Sequence, residues 1–295
     1  MKEKNIKIAV IGGDARQLYI AKELSNLGYD VYIFGIEIQR LEDGENFTRC
    51  QTLYEAADET FMMVLPLPFS RDKSTLNAPF SAKKIALSEI YAVSKEVPYI
   101  AAGLIDEVSR KKFSDDCFLI DYAQSEEFSV KNAYATVEGA LSIAIREIPI
   151  TLRGSIVAVT GYGRISKLLV RALVSLGANV KVFARKQLDR TSAGMEGARA
   201  YSISDIEENI SDVDLVINTV PSVIMDKGAL SMLSKRAVIM ELASHPGGVV
   251  KRDAEDLGIH YVNAQSLPGK YSPISAAKTI LESIFTELSE REVPI

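Results

Sequence analysis

Two glycines one residue apart, Gly161 and Gly163, stand between an unbroken apolar run at Ile156–Thr160 and an apolar pattern at helical spacing (Leu168, Leu169, Ala172, Leu173, Leu176). A second apolar run, ending at Phe183, follows Gly177. Strand, glycine turn, helix and strand within about thirty residues is the context in which such a turn holds a dinucleotide. Gly161 permits the tight turn, and Gly163 lets backbone approach a pyrophosphate at the helix N-terminus. Arg164 and Ile165 complete the turn, and Ser166 replaces the third glycine with another small residue. A plain βαβ unit with a glycine-rich turn is the alternative. Past Phe183 there is no acid until Asp189, whereas Arg185, Lys186 and Arg190 supply three cations. An acid there would suit the ribose hydroxyl of NAD, and cations suit the 2′-phosphate of NADP. NADP is therefore the expected cofactor, NAD the less favoured one, and a solvated basic loop the alternative.

Residues that follow strands at the ligand end of such a sheet are the next candidates. Thr219, Val220 and Pro221 follow the run at Leu215–Asn218 and are expected on the nicotinamide side, with Ser222 toward the substrate. His245 follows the run at 237–242 and is a candidate acid or base, with a substrate contact or a plain loop residue as alternatives. Asp14, Arg16 and Gln17 follow the first apolar run, where Arg16 is read as a bidentate carboxylate partner, with Lys270, on the loop before the last helix, or His245 near the other carboxylate. Arg16 bracing its own helix or pairing with a local acid is the alternative. Asn132 (substrate) and Glu138 (acid or base) stand in the stretch 132–140, with capping or surface roles as alternatives. Thr136 is a possible cap for the helix that follows.

Positioning these residues requires two similar halves. The first half repeats strand, turn, helix and strand from Ile6 to Phe34, but its turn, Gly12-Gly13-Asp14, lacks the spaced glycines. Asp58 to Pro66 and Asp212 to Pro221 each run from acids through an apolar strand to proline. The expected fold is two doubly wound, Rossmann-like α/β domains with parallel sheets, joined by crossing helices. Residues 1–130 form the substrate or partner domain and 131–273 the NADP domain; the helix at 274–295 packs back on the first. The two connections are expected to act as a hinge.

Composition narrows the classes. The chain is 47% hydrophobic and 25% charged with a net charge of −5, which disfavours a general nucleic-acid or membrane-surface role. Cys50, Cys117, His245 and His260 lack metal-ligand spacing, so no metal is expected. The opening residues read as a buried strand and not a signal peptide, and a cytoplasmic location with a possible homo-oligomer is expected.

Three local patterns coincide: Gly12-Gly13-Asp14-Ala15-Arg16-Gln17, the stretch NAYATVEGA at 132–140, and Leu267-Pro268-Gly269-Lys270 before Pro273. With the turn at Gly161 between them, the chain resembles the dipicolinate synthase A subunit family over nearly its whole length. That resemblance implies pyridine-nucleotide-dependent oxidation of a dihydrodipicolinate-type precursor from the lysine pathway, in the mother cell of sporulating bacteria. It also implies a second, flavoprotein-like partner, the B subunit of dipicolinate synthase. His245 stands where relatives can carry arginine. If the precursor carries a 4-hydroxyl group, Glu138 or His245 is the acid that expels water. Another two-domain NADP dehydrogenase, of the hydroxy-acid or shikimate type, and a non-catalytic NADP-sensing protein are the competing readings.

Overall fold

The structure, a computed structural model, describes residues 6–37 and 46–293. The first five residues, read with the opening strand, and the last two of the terminal helical segment lie outside the described residues. The chain divides into two compact units, one of Met1–Asn132 with Ser272–Ile295 and one of Ala133–Tyr271.

Unit 1 carries β1 (Lys7–Ile11), α1 (Ala15–Asn26), β2 (Asp30–Phe34), β3 (Phe47–Arg49), α2 (Leu53–Ala57), β4 (Met62–Val64), α3 (Leu87–Val93), β5 (Tyr99–Ala102), α4 (Glu107–Arg110) and β6 (Phe118–Asp121). The chain leaves it within α5 (Glu126–Glu147). Unit 2 carries β7 (Ile156–Thr160), α6 (Arg164–Ser175), β8 (Asn179–Phe183), α7 (Gln187–Met195), β9 (Arg199–Tyr201), α8 (Ile206–Asn209), β10 (Leu215–Asn218), α9 (Lys227–Ser231), β11 (Val238–Glu241), α10 (Lys251–Asp256), β12 (His260–Asn263) and α11 (Leu267–Tyr271). The chain then returns to unit 1 as α12 (Pro273–Ser289).

Both sheets are parallel and share one topology. Their orders are β3-β2-β1-β4-β5-β6 and β9-β8-β7-β10-β11-β12, each reversing direction beside its first strand. That is the strand order of a doubly wound dinucleotide fold, so the expected pair of Rossmann-like units is present. The acid-to-proline echo falls on β4 and β10, the fourth strand of each unit.

Strand periodicity explains the layering. Ile8 and Val10 face one core of unit 1 with α1 and α12, and Ala9 and Ile11 face the other with α2 and α3. Val157 and Val159 likewise face the core under α6, and Ala158 the opposite one. Helix α6 buries Ser166, Leu169, Val170 and Leu173, one stripe at helical spacing. Each fully buried aliphatic side chain in such a stripe contributes about 1.5–3 kcal/mol.

Several local expectations need correction. Helix α5 begins at Glu126, with the Phe128 N–H on Ser125 Oγ at 3.3 Å, so Thr136 lies in its interior and cannot cap it. The basic stretch after Phe183 is not a loop throughout, because α7 starts at Gln187 with Lys186 at its cap. Lys270 sits on the one-turn helix α11. The edge strands β3 and β9 escaped sequence reading because each has three residues and no apolar run.

Gly139 explains part of the 132–140 motif. A Cβ there would lie 2.9 Å from Leu267 Cβ and 3.3 Å from the Tyr271 ring, so glycine lets α5 approach α11 within unit 2.

Candidate functional site

The turn after β7 has the geometry that a pyrophosphate requires. Gly161 adopts φ +84°, and a Cβ there would stand 2.8 Å from Thr219 Oγ1 and 2.9 Å from Val220 Cγ2. Gly163 is the N-cap of α6 and makes no side-chain cap, and a Cβ built on it would meet no described atom within 4 Å. The first-turn N–H groups of α6 are thus left without a side-chain cap beside open space, an arrangement suited to an anion. Arg164 and Ile165 form the first turn of that helix. Ser166 does more than save space: its hydroxyl lies 2.7 Å from Thr219 Oγ1. Thr219 donates to the Thr160 carbonyl at 2.7 Å, so Ser166 is the donor to Thr219. This chain of hydroxyls ties α6 to the ends of β7 and β10.

The turn after β1 looks alike in sequence and differs in space. A Cβ on Gly12 (φ +62°) would lie 2.7 Å from Leu76 Cδ2, and one on Gly13 (φ +86°) would lie 2.7 Å from the Gln17 amide. The Gly13 N–H is already bonded to the Asn77 carbonyl at 3.0 Å. Leu76 and Asn77 lie against this turn much as Thr219 and Val220 lie against Gly161, and the two turns differ at the helix N-cap, which is Gly163 in unit 2 and the carboxylate-bearing Asp14 here. The glycines of unit 1 accommodate the chain's own atoms.

The cationic stretch divides in two. Arg185 and Lys186 are exposed, and their side chains make no hydrogen bond or ion pair among the described residues. Arg190 instead braces the turn, donating through Nη1 to the carbonyls of Ala184 (2.8 Å) and Arg185 (2.7 Å) and through Nη2 to Gln187 Oε1 (2.6 Å). Asp189, the first acid past the strand, lies inside α7.

In unit 1 the predicted substrate residues form a compact group. Asp14 caps α1 and accepts from the Arg16 backbone (3.1 Å), Nε (2.9 Å) and Nη2 (2.8 Å). Arg16 Nη2 also donates to the Leu67 carbonyl. The guanidinium fork is therefore held by a local acid, the alternative weighed for Arg16, and the side chain is only 5% exposed. Gln17 is fully buried, and neither end of its amide makes a hydrogen bond of good geometry among the described residues. It lies beside Tyr122, whose hydroxyl donates to the Leu65 carbonyl at 3.0 Å and whose phenol is pushed up by burial.

The remaining candidates are less constrained. His245, Glu138, Ser222 and Lys270 are exposed in unit 2, and their side chains make no hydrogen bond or ion pair among the described residues. Val220 is half-buried and Pro221 exposed at the end of β10. Asn132 is half-buried near the N-terminal half of α5. Among the described residues, no cluster of His, Cys, Asp or Glu could hold a metal ion, and no helix is long and apolar enough to cross a membrane.

Sequence reading missed a buried polar network in unit 2. Thr160 Oγ1 donates to Asn218 Oδ1 at 2.6 Å, and Asn218 Nδ2 donates to Glu241 Oε1 at 2.6 Å. Glu241 is 1% exposed, and burial pushes its carboxyl above the ordinary range against the pull of its N–H donors. Its signal was available: one acid closing an otherwise apolar strand that has no solvent face.

The fold and the open turn together define a class, paired Rossmann units of which one keeps a dinucleotide-type turn. The transhydrogenase from Sinorhizobium meliloti shares this fold at a TM-score of 0.66 and 15% identity, over 97% of this chain and 94% of that one. Residues 7–123 match the N-terminal domain of the dipicolinate synthase A subunit. The chain is 29% identical over 293 residues to the dipicolinate synthase A subunit of Bacillus subtilis (strain 168), covering 97% of this chain and 98% of that protein. Crystal structures agree. The B. subtilis protein superimposes with a TM-score of 0.80 at 29% identity, covering 98% and 97% of the two chains. Its counterpart from Bacillus halodurans gives 0.83 at 27%, covering 97% and 98%. The chain is similar to the dipicolinate synthase A subunits over nearly its whole length.

Proposed function

We propose that the protein is the dehydrogenase component of dipicolinate synthase, oxidising a dihydrodipicolinate-type precursor from the lysine pathway with NADP. The observation that carries this reading is the contrast at the two helix N-caps: Gly163 leaves the first turn of α6 without a side-chain cap beside open space, whereas the Asp14 carboxylate already caps α1. It supports placing the cofactor on unit 2 and the substrate on unit 1, and the similarity to dipicolinate synthase A subunits over nearly the whole chain supports the substrate class.

Residues of unit 2 that suit the cofactor are the α6 N-terminus for the pyrophosphate, Arg185 and Lys186 for the 2′-phosphate, and Thr219 to Pro221 toward the nicotinamide. Arg190 serves by shaping the turn that carries the other two cations. When bound, NADP supplies a hydride acceptor at C4 of its ring.

The protein's own part is to hold the dicarboxylate and remove one proton. Arg16 takes one carboxylate, with Asp14 holding the same fork in its absence, and Lys270 takes the other. Gln17, Asn132 and Ser222 are the neutral contacts. His245 or Glu138 receives the ring proton as the hydride leaves, which balances the oxidation and aromatises the ring. The expected partner is the flavoprotein-like B subunit, and the cytoplasm of a sporulating mother cell is the expected setting.

The test is turnover by purified protein given NADP and the lysine-pathway precursor, with and without the B subunit, followed by NADPH absorbance and by dipicolinate itself. Formation of both products is expected. NADP binding without either product, in both mixtures, would replace the enzyme with an NADP-sensing protein.

A further inference from the structure

The buried acid of unit 2 has no part in the chemistry above, yet its surroundings are unusually complete. Glu241 Oε1 accepts from Asn218 Nδ2 at 2.6 Å and from the Ala243 N–H at 2.9 Å. Oε2 accepts from the N–H groups of Gly248 at 2.9 Å and Val249 at 3.1 Å. All four partners are donors, so the ionised carboxylate satisfies every one of them, and neither a protonated acid nor an amide can do so.

The donors are arranged by position in the chain. Oε1 holds the entry to the turn after β11, and Oε2 holds its exit. Between these anchors lies an exposed tip, Ser244-His245-Pro246. Two glycines permit the closure. Gly247 has φ +83°, and a Cβ on Gly248 would stand 2.6 Å from both Asn218 Nδ2 and the Val220 carbonyl. Strand β11 itself needs none of this, being paired by backbone with β10 and β12. The His245 side chain makes no hydrogen bond among the described residues, so its place is set by its backbone.

We infer that Glu241, with Asn218, is a positioning residue that fixes the tip carrying His245 at the C-terminal edge of the unit 2 sheet. The catalytic consequence rests on the dehydrogenase reading; the positioning does not.

The chain has two histidines, which makes the test direct. His260, with Nε2 at 3.0 Å from Glu147 Oε2, serves as an internal reference at the opposite end of its sheet. Glu241→Gln places an amide N–H against two backbone donors. In histidine-resolved NMR of the full chain, this variant is expected to shift or broaden the His245 ring signals, with those of His260 unchanged. NADP affinity should stay within about threefold while kcat falls at least about tenfold, and Glu241→Asp, which keeps the charge, should recover part of both signals. Gly248→Ala disturbs the same clamp from the exit side and also crowds the Val220 carbonyl, so if Glu241→Gln does not fold this variant is read by its His245 signals alone. His245 signals superimposable on the parent protein in a folded variant would overturn the positioning. Altered His245 signals in a protein whose parent form never turns over would uphold the positioning and remove the dehydrogenase reading.

Discussion

At the scale of single residues, charge and reach decide the cofactor and the substrate grip. Arg185 is exposed with no partner for its side chain among the described residues, so its removal costs the fold little. A charge-assisted contact to phosphate contributes roughly 1.5–3 kcal/mol. Arg185→Ala is therefore expected to weaken NADP about tenfold or more and leave NAD nearly unchanged; calorimetry showing equal loss for both would remove the 2′-phosphate assignment. Arg16 behaves differently because it is buried and bonded to Asp14 and to the Leu67 carbonyl. Arg16→Lys loses the planar fork, so kcat/KM should fall about tenfold or more, equivalent to about 1.4 kcal/mol. The melting temperature should fall as well. A destabilised variant with undiminished kcat/KM would leave bracing as the sole role of Arg16.

At the scale of elements, the two glycine turns make opposite predictions from similar sequences. Gly163 has φ −87° and open space beyond its Cα, so alanine fits the backbone there. Gly163→Ala should cost at most about 1 kcal/mol of stability, the scale of a cap change. It should nonetheless lose NADP affinity, because the methyl group enters the space left for the pyrophosphate. Gly12→Ala should do the reverse. A methyl 2.7 Å from Leu76 Cδ2, on a residue at φ +62°, should destabilise by about 1–3 kcal/mol and leave NADP affinity alone. Denaturant titrations beside cofactor titrations separate the two. Equal loss of NADP affinity in both variants would mean that the unit 1 turn also serves the nucleotide.

At the scale of the molecule, each unit has its own sheet and its own cores. A ligand that binds one unit stabilises the state in which that unit is folded, by about 2.7 kcal/mol at a hundredfold excess over Kd. NADP added without substrate is therefore expected to slow hydrogen exchange first in the segments around 160–166 and 184–190. The turn at 12–17 should show no comparable protection, because Asn77 and Leu76 already occupy its surroundings. Protection centred on residues 12–17 would reverse the assignment of the two units.

Much of this was determined by local sequence. The apolar runs that became β1, β7 and β10, the stripe on α6, the Gly161 turn and the echo between β4 and β10 are short-range patterns. A buried parallel strand or an amphipathic helix writes such a pattern wherever it occurs. The family resemblance rested on equally local motifs. Whether a glycine turn is open or filled is a different matter, because Leu76 and Asn77 reach Gly12 and Gly13 from a distant part of the chain. The same holds for Arg190, read as one of three equivalent cations until its guanidinium is seen on the carbonyls of its own turn. It holds most for Glu241, whose four donors come from β10 and from both ends of the turn after β11. Their convergence depends on strand order and loop closure, which no local spacing records. Periodicity is a property of neighbours along the chain; occupancy of space is a property of neighbours across it, and only the tertiary structure decides that.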